Sequence, residues 1–123
     1  MTAIARLAAI SLDCADTAEL GRFYSELLDL EPFWETPEMV ALKGAGVFLT
    51  MQRVDDHQPP SWPDGSTPKQ MHLELSCTDL DAAEERALAL GAVKADNQPA
   101  PDRWRVFMDP AGHPFCFTTV VPD

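Results

Sequence analysis

LELSCTD at residues 73–79 repeats ISLDCAD at 10–16: Ile10 aligns with Leu73, Leu12 with Leu75, Cys14 with Cys77 and Asp16 with Asp79, all at one offset. Each copy alternates apolar and polar side chains, the period-two pattern of a strand with one buried face. Each ends in an aspartate that opens a helical pattern. After Asp16, Glu19 completes a capping-box spacing, and Leu20, Phe23, Tyr24, Leu27 and Leu28 recur at the spacing of an amphipathic helix. After Asp79, Leu80, Ala83, Ala87, Leu88 and Leu90 do the same, and Gly91 supplies a helix stop.

Beyond each helix the pattern returns to short strands. The first half offers Pro32–Glu35, Met39–Lys43 and Val47–Val54; the second offers Val93–Asp96, Arg103–Met108 and Phe115–Val121. AspProAlaGly at 109–112 places Pro and Gly where a type I turn takes them, which predicts a hairpin. Between the halves, DDHQPPSWPDGSTPK at 55–69 is too rich in proline for a helix or a central strand and reads as a linker. The expected organisation is α+β: one domain over 1–123 made of two tandem βαβββ modules, the first at about 4–54 and the second at about 70–121.

The bulk properties exclude several classes. With 46% hydrophobic and 24% charged residues the chain is ordinary globular material. A chain of 123 residues buries roughly 65% of its unfolded surface on folding. A net charge of -11 argues against nucleic acid and against anionic membrane surfaces. No apolar run approaches the ~20 residues of a membrane span, and the N-terminus lacks the basic start of a signal peptide, so a cytoplasmic location is expected. The cysteines, Cys14, Cys77 and Cys116, form no CxxC pair and predict neither a zinc knuckle nor a disulfide framework.

HLELSCTDLDAAEERALALGA (72–92) and RVFMDPAGHPFCF (105–117), supported by LDCADTAELGRFYSELLDLEP (12–32), resemble the vicinal oxygen chelate superfamily, the group of glyoxalase I, extradiol dioxygenases and bleomycin-resistance proteins. FLTMQRV (48–54) and SWPD (61–64) suit its small glyoxalase-like domains. The resemblance covers nearly the whole chain and implies modules whose sheet curls around a cavity. In the enzymes of that group a metal sits in the cavity, held by one residue near the start and one near the end of each module. Carried over position by position, the second-module histidine falls on His72 and the final-strand glutamate on Cys116. The matching first-module positions fall on Ala9 and on Thr50 or Gln52. None of the four is a carboxylate. Glu74, two residues along the strand from His72, faces the same way and can be recruited.

The remaining candidates divide by face. Ser11 and Asp13 share a face with Ala9, and His72 shares one with Gln70, Glu74 and Ser76, opposite Met71, Leu73 and Leu75, which are expected under the helix. His72 reads first as a pocket histidine hydrogen-bonded to Glu74 or a water. Cys116 reads first as a buried apolar residue, with Cys14 and Cys77 also in the core. Trp34, Trp62 and Trp104 are either core or aromatic walls for a flat ligand. The facing of Trp104 stays open.

The preferred function is a small-molecule-binding protein of the glyoxalase/bleomycin-resistance type, a homodimer with no metal or other cofactor. Its ligand residues would be drawn from His72, Glu74, Gln52, Thr50, Cys116, Ser11, Asp13, Trp62 and Trp104. The alternative is a lyase, isomerase or dioxygenase in which His72, Glu74 and either Gln52 or Cys116 hold a divalent metal. A third reading is metal-free acid/base catalysis by His72 and Glu74.

Overall fold

The aspartates that end the two repeats cap the two helices. Asp16 Oδ1 accepts from the Glu19 amide at 3.1 Å, and Asp79 Oδ1 from the Ala82 amide at 3.0 Å. Both caps have extended backbone, as a residue half outside a helix should. Helix α1 (Thr17–Leu28) ends at Asp29 and α2 (Leu80–Leu90) at Gly91, each in the left-handed conformation. Asp79→Ala is expected to cost about 1 kcal/mol of stability in chemical denaturation. An unchanged midpoint would show that the Ala82 amide finds another partner.

The computed structural model describes residues 3–44 and 46–120. The chain divides between His57 and Gln58 into two compact units. In the first, β1 (Ala9–Cys14), β2 (Glu31–Glu35), β3 (Met39–Lys43) and β4 (Phe48–Arg53) form a sheet in the order β1-β4-β3-β2. The second repeats this with β5 (Leu73–Ser76), β6 (Val93–Lys94), β7 (Trp104–Met108) and β8 (Pro114–Thr118), in the order β5-β8-β7-β6. In each unit the strand before the helix runs parallel to the last strand, and the other neighbours are antiparallel. The architecture is α+β with two tandem βαβββ modules, as the repeat predicts.

Each helix covers one face of its own sheet. In the first unit Leu20, Phe23 and Tyr24 are buried together with Val40, Leu42, Leu49 and Met51. Gly21 lets the helix lie close: a Cβ there would meet Val40 Cγ1 at 2.8 Å. In the second unit Leu80 and Ala87 of α2, which lies against β8, are buried along with Phe107, Phe115 and Phe117. Because side chains alternate along a strand, Ser11, Asp13, Thr50 and Gln52 point away from α1, and Glu74, Trp104, Val106 and Cys116 away from α2.

The hairpin at 109–112 forms. The Gly112 amide donates to the Asp109 carbonyl at 2.8 Å, and the buried Asp109 carboxylate accepts from the amides of Ala111 and His113. Four expectations need correction. Met71 is not under the helix but 77% exposed, because β5 begins only at Leu73. Cys77 is half-buried rather than core. The run from Val93 stops at Lys94. The Ala95 amide still donates to the Val106 carbonyl, but the Gln98 side chain stands between the Val106 amide and the Ala95 carbonyl, the other bond of that pair. The Gln98 amide nitrogen donates to the carbonyls of Ala95 and Val106, and its oxygen accepts from the Val106 amide. The last strand ends at Thr118, and Val121 lies outside the described residues. No described helix is long and apolar enough to cross a membrane.

Candidate functional site

Strand register assembles the site of the second unit. Glu74 and Cys116 are partners in the parallel ladder, Val106 is the partner of Cys116 across the next strand, and Trp104 is the partner of Thr118. Partners across a ladder share a face, so these side chains stand together on the side away from α2. His72, two residues before Glu74, turns the same way, and its Nε2 is hydrogen-bonded to Glu74 Oε1. One donor atom each from His72, Glu74 and Cys116 lie within 4.8 Å of one another.

Over this row lies a cleft of about 390 Å³, lined by Trp62, Lys69, His72, Glu74, Pro99, Trp104, Val106, Pro114, Cys116, Thr118 and Val120. Trp62 comes from the proline-rich stretch and packs with Trp104 and Met108 on the buried cluster of Ala95, Val106 and Cys116. That stretch is tied back on itself: the Ser61 amide donates to the Thr67 carbonyl, and the Thr67 amide to Ser61 Oγ at 3.1 Å. The Arg103 guanidinium stacks 5.2 Å from the Trp104 ring centre. The cleft is therefore aromatic and prolyl at its walls, with an imidazole, a carboxylate, a thiol and an ammonium inside.

Burial pushes the Cys116 thiol up to about 11, and the Glu74 charge adds to the effect while Lys69 opposes it. Cys77 is also raised, by burial and then by Asp79. Arg105, on the helix side, is raised mainly by its bond to Asp81 at 2.8 Å and also meets Glu84. This cluster ties β7 to α2 and does not enter the cleft.

In the first unit, Ser11 and Thr50 are register partners with hydrogen-bonded hydroxyls, and Asp13 is the partner of Gln52. The same face carries Phe48, which Phe33 meets edge-on at 5.4 Å, and Trp34, the partner of Ala41. A larger cleft of about 820 Å³ lies on the other side of this sheet, beside α1. It contains none of the candidate ligand residues drawn from the sequence, and its charged lining mixes Asp16, Glu26 and Glu35 with Arg22 and Arg53.

Of the sequence candidates, then, His72, Glu74, Cys116, Trp62 and Trp104 meet in one cleft, while Ser11, Asp13, Thr50 and Gln52 form a separate polar patch in the first unit. Sequence reasoning missed Lys69, Pro99 and Thr118 in the cleft, and Phe33 beside the patch. The alternation of FLTMQRV puts Phe48 on the face of Thr50 and Gln52, as the structure has it; Lys69 and Pro99 lie outside any strand and carry no periodic signal.

The metal set implied by the resemblance fits poorly. Ala9 offers no donor atom, and the Thr50 hydroxyl is bonded to Ser11. Only His72 and Cys116, among the four carried-over positions, hold strong ligands, whereas an open catalytic site usually has three.

This chain belongs to the glyoxalase-like domain family, which matches residues 9–118, and so to the vicinal oxygen chelate superfamily. Three solved structures illustrate the likeness. A glyoxalase/bleomycin resistance protein/dioxygenase family enzyme from Burkholderia phytofirmans PsJN superposes with a TM-score of 0.71 at 17% identity, covering 95% of this chain and 100% of that one. A glyoxalase-related enzyme from Fulvimarina pelagi gives 0.69 at 23% identity, covering 93% and 87%. A mutant of the fosfomycin resistance protein FosX from Listeria monocytogenes, complexed with Mn(II) and 1S,2S-dihydroxypropylphosphonic acid, gives 0.72 at 16% identity, covering 98% and 93%. At these identities the likeness establishes the fold. No curated protein gives a significant match.

Proposed function

We propose that this chain is a small-molecule-binding protein of the glyoxalase/bleomycin-resistance type, acting without the catalytic metal of the family's enzymes, and that its ligand enters the cleft of the second unit. One observation carries this reading: two indoles and two prolines wall a cleft in which His72, Glu74 and Cys116 lie close together. That is the usual make-up of a small-molecule pocket, apolar for affinity and sparsely polar for orientation. The Trp62 and Trp104 faces suit a flat ligand, and Glu74 and His72 supply an acceptor and a tautomer-dependent donor beside it. A homodimer is part of the proposal, supported by Phe33 and Trp34, both more than half exposed on the edge strand β2.

The test is tryptophan fluorescence during titration with flat aromatic and cationic compounds. A compound that quenches the wild type should bind Trp104→Ala about 30-fold more weakly, the equivalent of ~2 kcal/mol for loss of an aromatic anchor. Equal affinity in the variant, or no binder in the panel, would overturn the reading.

A second reading, a metal-dependent lyase, isomerase or dioxygenase, draws on the clustering of His72, Glu74 and Cys116. A bound ion would supply Lewis-acid polarisation of a substrate oxygen. Turnover in glyoxalase or dioxygenase assays, lost on chelation, would favour it. Turnover that survives chelation would point instead to His72 and Glu74 as acid and base.

A further inference from the structure

We propose that the ligand of the second unit's cleft is a flat aromatic carboxylate, its rings against Trp62 and Trp104 and its carboxylate on the Lys69 ammonium. The proposal rests on the small-molecule-binding reading and names the class of compound that the site takes.

One short clip of backbone brings an indole and an ammonium to the same cleft. Ser61 and Pro68 are partners in an isolated parallel bridge, held by the Ser61 amide on the Thr67 carbonyl and the Thr67 amide on Ser61 Oγ. The residues that follow the two partners, Trp62 and Lys69, both line the cleft. Parallel neighbours leave a bridge side by side, so ring and charge arrive together. Lys69 is half-buried, although Pro68, Gln70 and Met71 around it are exposed. Partial burial of so strongly hydrated a head group is costly unless water or an anion meets it. Among the described residues that line the cleft, Lys69 is the one permanent cation, and it makes no ion pair with another described residue. Its charge is felt at the Cys116 thiol, where it opposes the rise caused by burial.

The other charged groups favour an anion over a cation. Glu74, which would hold a cation, already has its Oε1 bonded to His72 Nε2. The Arg103 guanidinium already stacks on the Trp104 ring, so part of that ring's attraction for positive charge is taken. A cationic ligand would also meet the unpaired Lys69 in the same cleft. The length of the cleft floor narrows the class further. Pro114, Cys116 and Thr118 line it along β8, a run of about 13 Å at ~3.3 Å per residue. β5 enters at the Pro114 end, since Leu73 pairs with Phe115, and Lys69 precedes β5. Trp104 stands opposite Thr118 at the other end. Two fused rings bearing a carboxylate span that row better than a single ring does.

The test is isothermal titration calorimetry of the full chain with 2-naphthoate, 2-naphthamide and 2-naphthamidine, which share one ring system and differ in charge. Naphthoate should bind tightest, the neutral amide on the order of 10-fold more weakly for want of one charge-assisted hydrogen bond, and the amidinium most weakly. Lys69→Met keeps the apolar stem and should bring naphthoate level with the amide, whereas Lys69→Arg should keep most of the preference. Added salt should weaken naphthoate and hardly move the amide. No preference for naphthoate, or a preference that survives Lys69→Met, would overturn the proposal and leave the binding reading standing. If none of the three binds, this proposal falls, and the binding reading falls with it only if the fluorescence panel also yields no binder.

Discussion

Phe107→Ala is expected to lower the unfolding free energy by about 3–5 kcal/mol, the usual cost of truncating a fully buried phenylalanine. Phe107 is completely buried on the helix side of the second sheet. Its ring stacks on Phe115 with centroids 5.8 Å apart and meets Phe117 edge-on at 5.6 Å, while Phe115 and Phe117 are themselves 5.5 Å apart. Truncation therefore leaves a hole in a three-ring cluster and removes two ring contacts beyond the lost area. Against a typical total of ~5–15 kcal/mol, the variant keeps little margin. Urea denaturation checks this, with a lower midpoint and an unchanged slope expected. A loss below about 1 kcal/mol would mean that the sheet repacks around the gap.

The same strand shows how far the sequence carries. Helix positions were legible because Asp16, Asp79 and Gly91 act locally: a cap needs only its own neighbours. The repeat was legible because both copies bury the same alternate residues. The facing of Trp104 was not, since β7 takes its register from β8, and only that pairing sets Trp104 opposite Thr118. The exposure of Met71 and the early end of β6 have the same origin. Strand ends depend on which partner groups are available, and beyond β6 the Gln98 side chain stands between the Val106 amide and the Ala95 carbonyl. For the site, His72 and Glu74 were within reach because they share one strand direction. Their nearness to Cys116 comes from a parallel ladder between segments far apart in sequence. Trp62 and Lys69 enter the cleft from irregular backbone, where no periodicity applies.

In chelator-treated protein at about pH 8, Cys116 is expected to react with iodoacetamide about 100-fold more slowly than an unperturbed thiol. The thiolate is the nucleophile, and a rise from 9.0 to about 11 removes two decades of it. Burial is the larger cause and the Glu74 carboxylate the second, so Glu74→Gln should recover only part of the rate. Peptide mass spectrometry is needed to follow Cys116 apart from the buried Cys14 and the half-buried Cys77. The pH profile separates ionisation from access. Blocked access lowers the rate at every pH, whereas a raised pKa keeps it climbing tenfold per unit past pH 9 towards about 11. The sign for stability follows from proton counting. Between 9.0 and about 11 the folded state holds a proton that the unfolded chain has released, so this contribution is complete below that window and is lost as pH rises through it. A rate that levels off near pH 9 would show an ordinary thiol. The expected profile instead makes Cys116 a neutral wall of the cleft across the ordinary pH range.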